Sequence, residues 1–136
     1  MLEPSFRYVD MLRALTDNEI AFITGIAHRL DDEASRRLMS DLASAQAEVT
    51  LPDGALIRFH LAGYQRAPYS GQRLYPAEGL MDDVDGSPIA LLLFADPTDR
   101  LFELEYVRWW GGDLQKPNWS TVRFIPDSPP TKTGTA

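Results

Sequence analysis

Leu101-Phe-Glu-Leu-Glu-Tyr-Val-Arg-Trp-Trp110 alternates apolar and polar side chains with a period of two. That is the period of a strand with one face buried. The phase puts Phe102, Leu104, Tyr106 and Trp110 toward a core and Glu103 and Glu105 outward. Before it, Ile89 to Ala95 is apolar on both faces, as a central strand is, and Asp96-Pro-Thr-Asp99 supplies the turn between the two. Further back, Leu74 to Met81 reads as a strand interrupted by Pro76 and Gly79, hence bulged or at an edge, and Asp82 to Ser87 as a turn. Ala55, Ile57, Phe59 and Leu61 alternate with Leu56, Arg58 and His60. Pro52-Asp53-Gly54 joins that strand to a short one ending at Val49 and Leu51, which makes a hairpin. After Trp110, a last short strand is expected through Val122, Phe124 and Pro126.

The N-terminal third has the other period. Leu15-Thr16-Asp17-Asn18-Glu19-Ile20 places Thr16 at an N-cap with Glu19 three residues on, a capping box, and Leu15 before it as a staple for Ile20. Ile20, Ile23, Ile26, Ala27 and Leu30 then recur at helical spacing, which predicts a helix over 17–30. Asp31-Asp32-Glu33 puts acidic charge at the start of a second helix, about 32–44, with Ala34, Leu38, Leu42 and Ala45 on one face. Helices first and strands after argue an α+β fold, with two N-terminal helices packed on one face of an antiparallel sheet of about five strands. One domain is expected over 1–126. Residues 1–10 read as an irregular lead-in, 63–73 as a loop, and 127–136 as a disordered tail.

Composition excludes more than it assigns. The 136 residues contain no cysteine, so disulfides, thiolate nucleophiles and cysteine-based metal sites are out. The net charge is −7, which disfavours nucleic acid as a partner. The first residues lack a basic region followed by an apolar run, and Pro88 to Ala95 is too short to span a bilayer. No membrane association and a cytoplasmic location are the expectations.

No catalytic signature is present: no Gly-x-Ser-x-Gly, no His-Glu-x-x-His and no phosphate-binding glycine loop. The acidic turn Asp82, Asp83, Asp85, Gly86 fails as a calcium loop, because Met81 and Leu92 stand where acidic ligands would be needed. His28 and His60 have no pairing that indicates a metal or a triad, and no metal or cofactor is expected. Glu103 and Glu105 share one face of a strand and read as a solvated face. The aromatic group is richer. Trp109 and Trp110 are adjacent on a strand and face opposite ways, so one can be core while the other meets a second layer or a partner. Trp110 shares the core phase. Trp119 reads as folding back over the sheet end, with Gly111-Gly112 allowing the chain to reverse.

Four segments carry a resemblance: Arg13-Ala-Leu15-Thr16-Asp-Asn-Glu19, Pro52-Asp53-Gly54, Asp83-Val-Asp85-Gly86 and Leu101-Phe-Glu-Leu-Glu-Tyr-Val-Arg-Trp109. Over about 13–126 the chain resembles a family of small, mostly bacterial proteins catalogued as a domain of unknown function. It departs from them after Trp109. The resemblance implies one compact domain and carries over no catalytic residues. In style the chain is also similar to immunity proteins that neutralise bacterial toxins.

Together these readings predict a small, acidic, non-enzymatic interaction module, of the kind that inhibits a basic toxin domain. Asp82, Asp83, Glu103 and Glu105, with Trp109 and Trp119 as aromatic anchors, form the expected partner-binding set. The alternatives are a small enzyme or ligand-binding domain with a pocket between the sheet and loop 63–73, using His60, Tyr64 or a carboxylate, and a homodimer through an exposed strand edge.

Overall fold

A computed structural model describes residues 12–69 and 71–127. The elements run β1 (Leu12–Ala14), α1 (Asp17–Ala27), α2 (Asp32–Ala43), β2 (Ala45–Val49), β3 (Leu56–Leu61), β4 (Arg73–Leu74), β5 (Glu78–Asp82), β6 (Pro88–Ala95), β7 (Leu101–Arg108) and β8 (Asn118–Ile125). The α+β class holds. The sheet has eight strands where about five were expected. The expectations for residues 1–10 and 128–136 lie outside the described residues.

Helix α1 begins as its sequence requires. The Thr16 side chain accepts from the Glu19 N–H at 3.1 Å, and the Glu19 carboxylate accepts from the Thr16 N–H at 2.9 Å. Arg13 on β1 closes a two-pronged pair onto the same carboxylate, which is buried. Thr16→Ala is therefore expected to cost about 1 kcal/mol, read as a lower denaturant midpoint with an unchanged slope. An unchanged midpoint would show that Arg13 holds Glu19 without the cap.

The helix is shorter than the predicted 17–30. The N–H groups of Arg29 and Leu30 turn back to the carbonyls of Ile26 and Ala27, and Asp31 already caps α2 by accepting from the Ala34 N–H at 2.8 Å. Ile20 lies exposed, and Phe22 takes its place in the core beside Ile23, Ile26, Ala27 and Leu30. From α2, Leu38 is buried with Ala34 and Leu42 half-buried beside the core, while Ala45 already begins β2.

The strand order is β1-β2-β3-β7-β6-β5-β8, all antiparallel, with the short β4 pairing on β6 alongside β5. The expected strand over Leu74 to Met81 is thus two strands, broken around Pro76, whose ring supplies no N–H to a ladder. β1 was not anticipated, since three residues carry no visible period. β6 and β7 lie inside the sheet, as their apolar runs suggested.

Alternation assigns the two faces. Ala47, Ile57, Phe59, Leu61, Met81, Ile89, Leu91, Leu93, Leu104 and Tyr106 form one buried cluster with the helix residues. Two glycines permit this contact. A Cβ on Gly79 of β5 would stand 2.5 Å from Phe22, and one on Gly25 of α1 would stand 2.3 Å from Phe124 of β8. The rings of Phe22 and Phe124 stack at 5.5 Å, and Arg29 lies 4.0 Å over Phe124. The opposite face carries no helix among the described residues.

Phe102 departs from the expected core phase. The pairing steps from Ala95↔Leu101 to Phe94↔Glu103, so β7 has one extra residue there. Leu101 and Leu104 reach the core on either side of this bulge, while Phe102 is buried against Arg58, Arg66 and Tyr69 instead.

Candidate functional site

The helix-free face is built from cross-strand rows. One row runs Arg123, Leu80, Ala90, Val107; a second runs Leu92, Glu105, Leu56; a third runs Phe94, Glu103, Arg58. Trp109 continues β7 beyond Val107, with its N–H on the Pro88 carbonyl at 2.9 Å. Val107 and Ile125 are exposed apolar side chains on this side.

Trp109 and Trp110 are 62% and 64% exposed. The expectation that Trp110 continues the core is thereby corrected. The ladder ends at Arg108, and the chain turns before Trp110 can complete the phase. Its ring instead lies over the turn below, 3.6 Å from where a Cβ on Gly86 would stand.

The loop after Trp110 is held by carboxylates. Asp83 accepts from the backbone N–H groups of Gln115 at 3.0 Å and Lys116 at 2.7 Å, and from Arg108 at 2.8 Å. Asp85 accepts both terminal nitrogens of Arg108 at 2.9 Å, and Asp53 accepts from the Leu114 N–H at 3.0 Å. The Arg108 Nε donates to the Gly111 carbonyl at 2.8 Å. Gly111 and Gly112, with φ of +75° and +78°, make the reversal that an L side chain would resist. Burial pushes the Asp83 carboxyl up, but the N–H bonds from Gln115, Val84 and Lys116 and the Arg108 guanidinium outweigh it and hold it below its ordinary value. The Arg108 hydrogen bond, then the Ser87 N–H, bring Asp85 down to about 2.

At the far end of the same face, the loop between β3 and β4 is pinned by Asp96. This carboxylate accepts from the Tyr64 hydroxyl at 2.6 Å and from Arg66 at 2.6 Å. Arg66 also donates to the carbonyls of Phe59 at 2.8 Å and Leu101 at 3.1 Å. A cleft of about 390 Å³ opens there, lined by Arg58, His60, Tyr64, Arg66, Tyr69 and Phe102 among others. His60 Nε2 lies 2.9 Å from the Glu48 carboxylate, and burial, then the Arg66 charge, lowers its pKa below the usual imidazole value.

The six residues singled out from the sequence separate into two groups. Asp82, Glu105 and Trp109 are on the helix-free face, with Asp82 paired to Arg123 at 3.2 Å. Asp83 is buried in the loop anchor. Glu103 points to the helix-free side but is buried beneath Arg58, which corrects the reading of it as solvated. Trp119 is half-buried and meets Tyr106 edge-on at 6.2 Å, on the side of the core.

Arg58, Arg66, Asp96 and Arg108 organise both ends of the face; Asp96 was legible only as a turn residue, and the three arginines had no local signal in the sequence. The carboxylate partners of Arg58, Arg66 and Arg108 are 23 to 45 residues away. Among the described residues no group of three His, Asp or Glu is placed to hold a metal, and no helix is long and apolar enough to cross a membrane. No family model matches the chain, and neither the curated proteins nor the solved structures provide a match.

Proposed function

We propose that the protein is an interaction module that presents the tryptophan end of its helix-free sheet face to a basic protein partner. The observation that carries this reading is the pair Trp109 and Trp110, both largely exposed on a loop that buried Asp83 fixes in place. Large aromatic side chains on a rigid support are favoured anchors, because little freedom is lost when a partner covers them. Val107 and Ile125 extend the apolar area, and Asp82 and Glu105 contribute acidic groups. The net charge of −7 steers a cationic partner toward the molecule. Blocking a basic cleft by occlusion, as an immunity-type inhibitor blocks a toxin domain, is the mode of action that suits such a surface.

The test is capture of a partner from the native source, followed by titration of the recovered protein. Trp109→Ala is expected to weaken binding by about 2 kcal/mol or more while leaving the denaturant midpoint nearly unchanged. Undiminished binding by Trp109→Ala together with Val107→Glu would overturn the assignment of this surface. Recovery of the chain's own copies alone would assign the face to a homodimer.

A further inference from the structure

The cleft at the other end of the face has a different character. Its ion pairs are asymmetric in depth. The Arg58 side chain is 42% exposed and its partner Glu103 only 7%; Arg66 is 20% exposed and its partner Asp96 only 3%. In both pairs the carboxylate lies beneath and the guanidinium faces the opening. The two guanidinium groups are therefore the charges nearest the opening above their own carboxylates, while Glu48, opposite Arg58 in the ladder, is engaged by His60 at 2.9 Å.

The cleft is also aromatic. Arg58 and Arg66 lie 5.3 Å and 4.7 Å from the Phe102 ring, and the exposed Tyr69 ring stands 6.2 Å from it, tilted by 31°. The Arg58 Nε and Nη2 both donate to one oxygen of Glu103, and its Nη1 makes no hydrogen bond among the described residues. The bulge that carries Phe102 out of the core phase creates this arrangement. It turns a large ring toward the loop at the cost of one ladder position.

We propose that this cleft binds a small aryl anion, with its ring against Phe102 and Tyr69 and its acidic group on the open edge of Arg58 beside His60. The chemistry is a planar ring joined to a carboxylate or a phosphate. The volume, about 390 Å³, lies near the small end of ligand sites, which suits one ring with a short acidic group. Stacked guanidinium groups recognise flat anions in a way that lysine does not. The site is separate from the tryptophan end. Phe102 and Trp109 are seven residues apart on one strand line, about 24 Å at the rise of a strand.

The experiment is an NMR titration of the whole chain with benzoate, phenyl phosphate, benzyl alcohol and benzylamine. At least one of the two anions is expected to shift His60, Tyr69 and Phe102 with a Kd below about 1 mM, and benzylamine is expected to leave them unmoved. The tighter of the two anions tells carboxylate from phosphate. Tyr69→Ala removes an exposed ring and is expected to weaken the bound anion about 10-fold. Arg58→Lys keeps the charge over Glu103 but loses the fork and is expected to weaken it by about as much. Trp109→Ala is expected to bind the anion as the parent does, so the site stands or falls independently of the interaction surface. Three results would each overturn the proposal: benzylamine binding as well as the anions, no shift with either anion up to about 10 mM, or unchanged affinity in Tyr69→Ala.

Discussion

Asp96→Ala is expected to cost about 3–5 kcal/mol of stability, the range for removing one partner of a buried ionic network. One oxygen of this carboxylate takes the Tyr64 hydroxyl and Arg66; the other takes the Thr98 N–H at 2.9 Å, the Thr98 hydroxyl at 2.8 Å and the Arg100 N–H at 3.0 Å. Without it, Arg66 is left with two carbonyls for its charge, and the turn before β7 loses three donors' common acceptor. Asp96→Asn, which keeps the size and part of the acceptor, should lose less. Burial pushes the Asp96 carboxyl up, but the Tyr64, Arg100 and Thr98 hydrogen bonds outweigh it and bring it down to about 2 from 3.8.

A folded-state value below the unfolded one means the contribution is complete above about pH 4 and lost as pH falls through about 2. Acid titration of stability should therefore be flatter in Asp96→Ala than in the parent protein. Parallel curves would show that the network does not depend on the charge of Asp96.

How far the sequence could be read depended on whether a feature was local. The capping box at Thr16 and Glu19, the Asp53-Gly54 hairpin and the alternating β3 are written in neighbouring residues, and each formed where its pattern lay. β1 was missed because three residues show no period, and its role is given by Arg13 reaching Glu19 across a turn. Phe102 misled because a bulge is a property of the pair of strands, visible only once Phe94 and Ala95 are set against β7. Trp110 misled because the alternation continues in the sequence after the ladder has stopped.

The candidate sites were less legible for the same reason. Asp83 and Glu103 have the composition of a solvated acidic surface. Distant arginines, Arg108 and Arg58, turn them into buried anchors. Trp109 and Glu105 could be placed from alternation alone, and they share the helix-free face with Glu103 and with Asp82, which ends β5 where a turn was expected.

Asp83→Ala should have the second large effect, about 3 kcal/mol, and it tests how the tryptophans are held. Arg108 would keep Asp85, so the loss falls on the N–H groups of Val84, Gln115 and Lys116, which share Asp83 as their acceptor. With that acceptor gone, the backbone of 115–116 loses its tie to the turn, and its N–H groups, on exposed residues, exchange their protein acceptor for water. The expected result is therefore local release: faster amide exchange at Gln115 and Lys116, with exchange in β6 changed only by the global loss of stability. Asp83→Asn retains an acceptor oxygen and should show a smaller version of both. The link to function follows from rigidity. If Trp109 and Trp110 anchor a partner because they are already fixed, Asp83→Ala must weaken that partner although it leaves both rings in the chain, and under conditions where the variant is fully folded. Slow exchange at Gln115 and Lys116 in Asp83→Ala would mean that Asp53 and Gly111 hold the loop alone. Fast exchange with undiminished binding would mean that the rings need no fixed support, and the reason for assigning them as anchors would be gone.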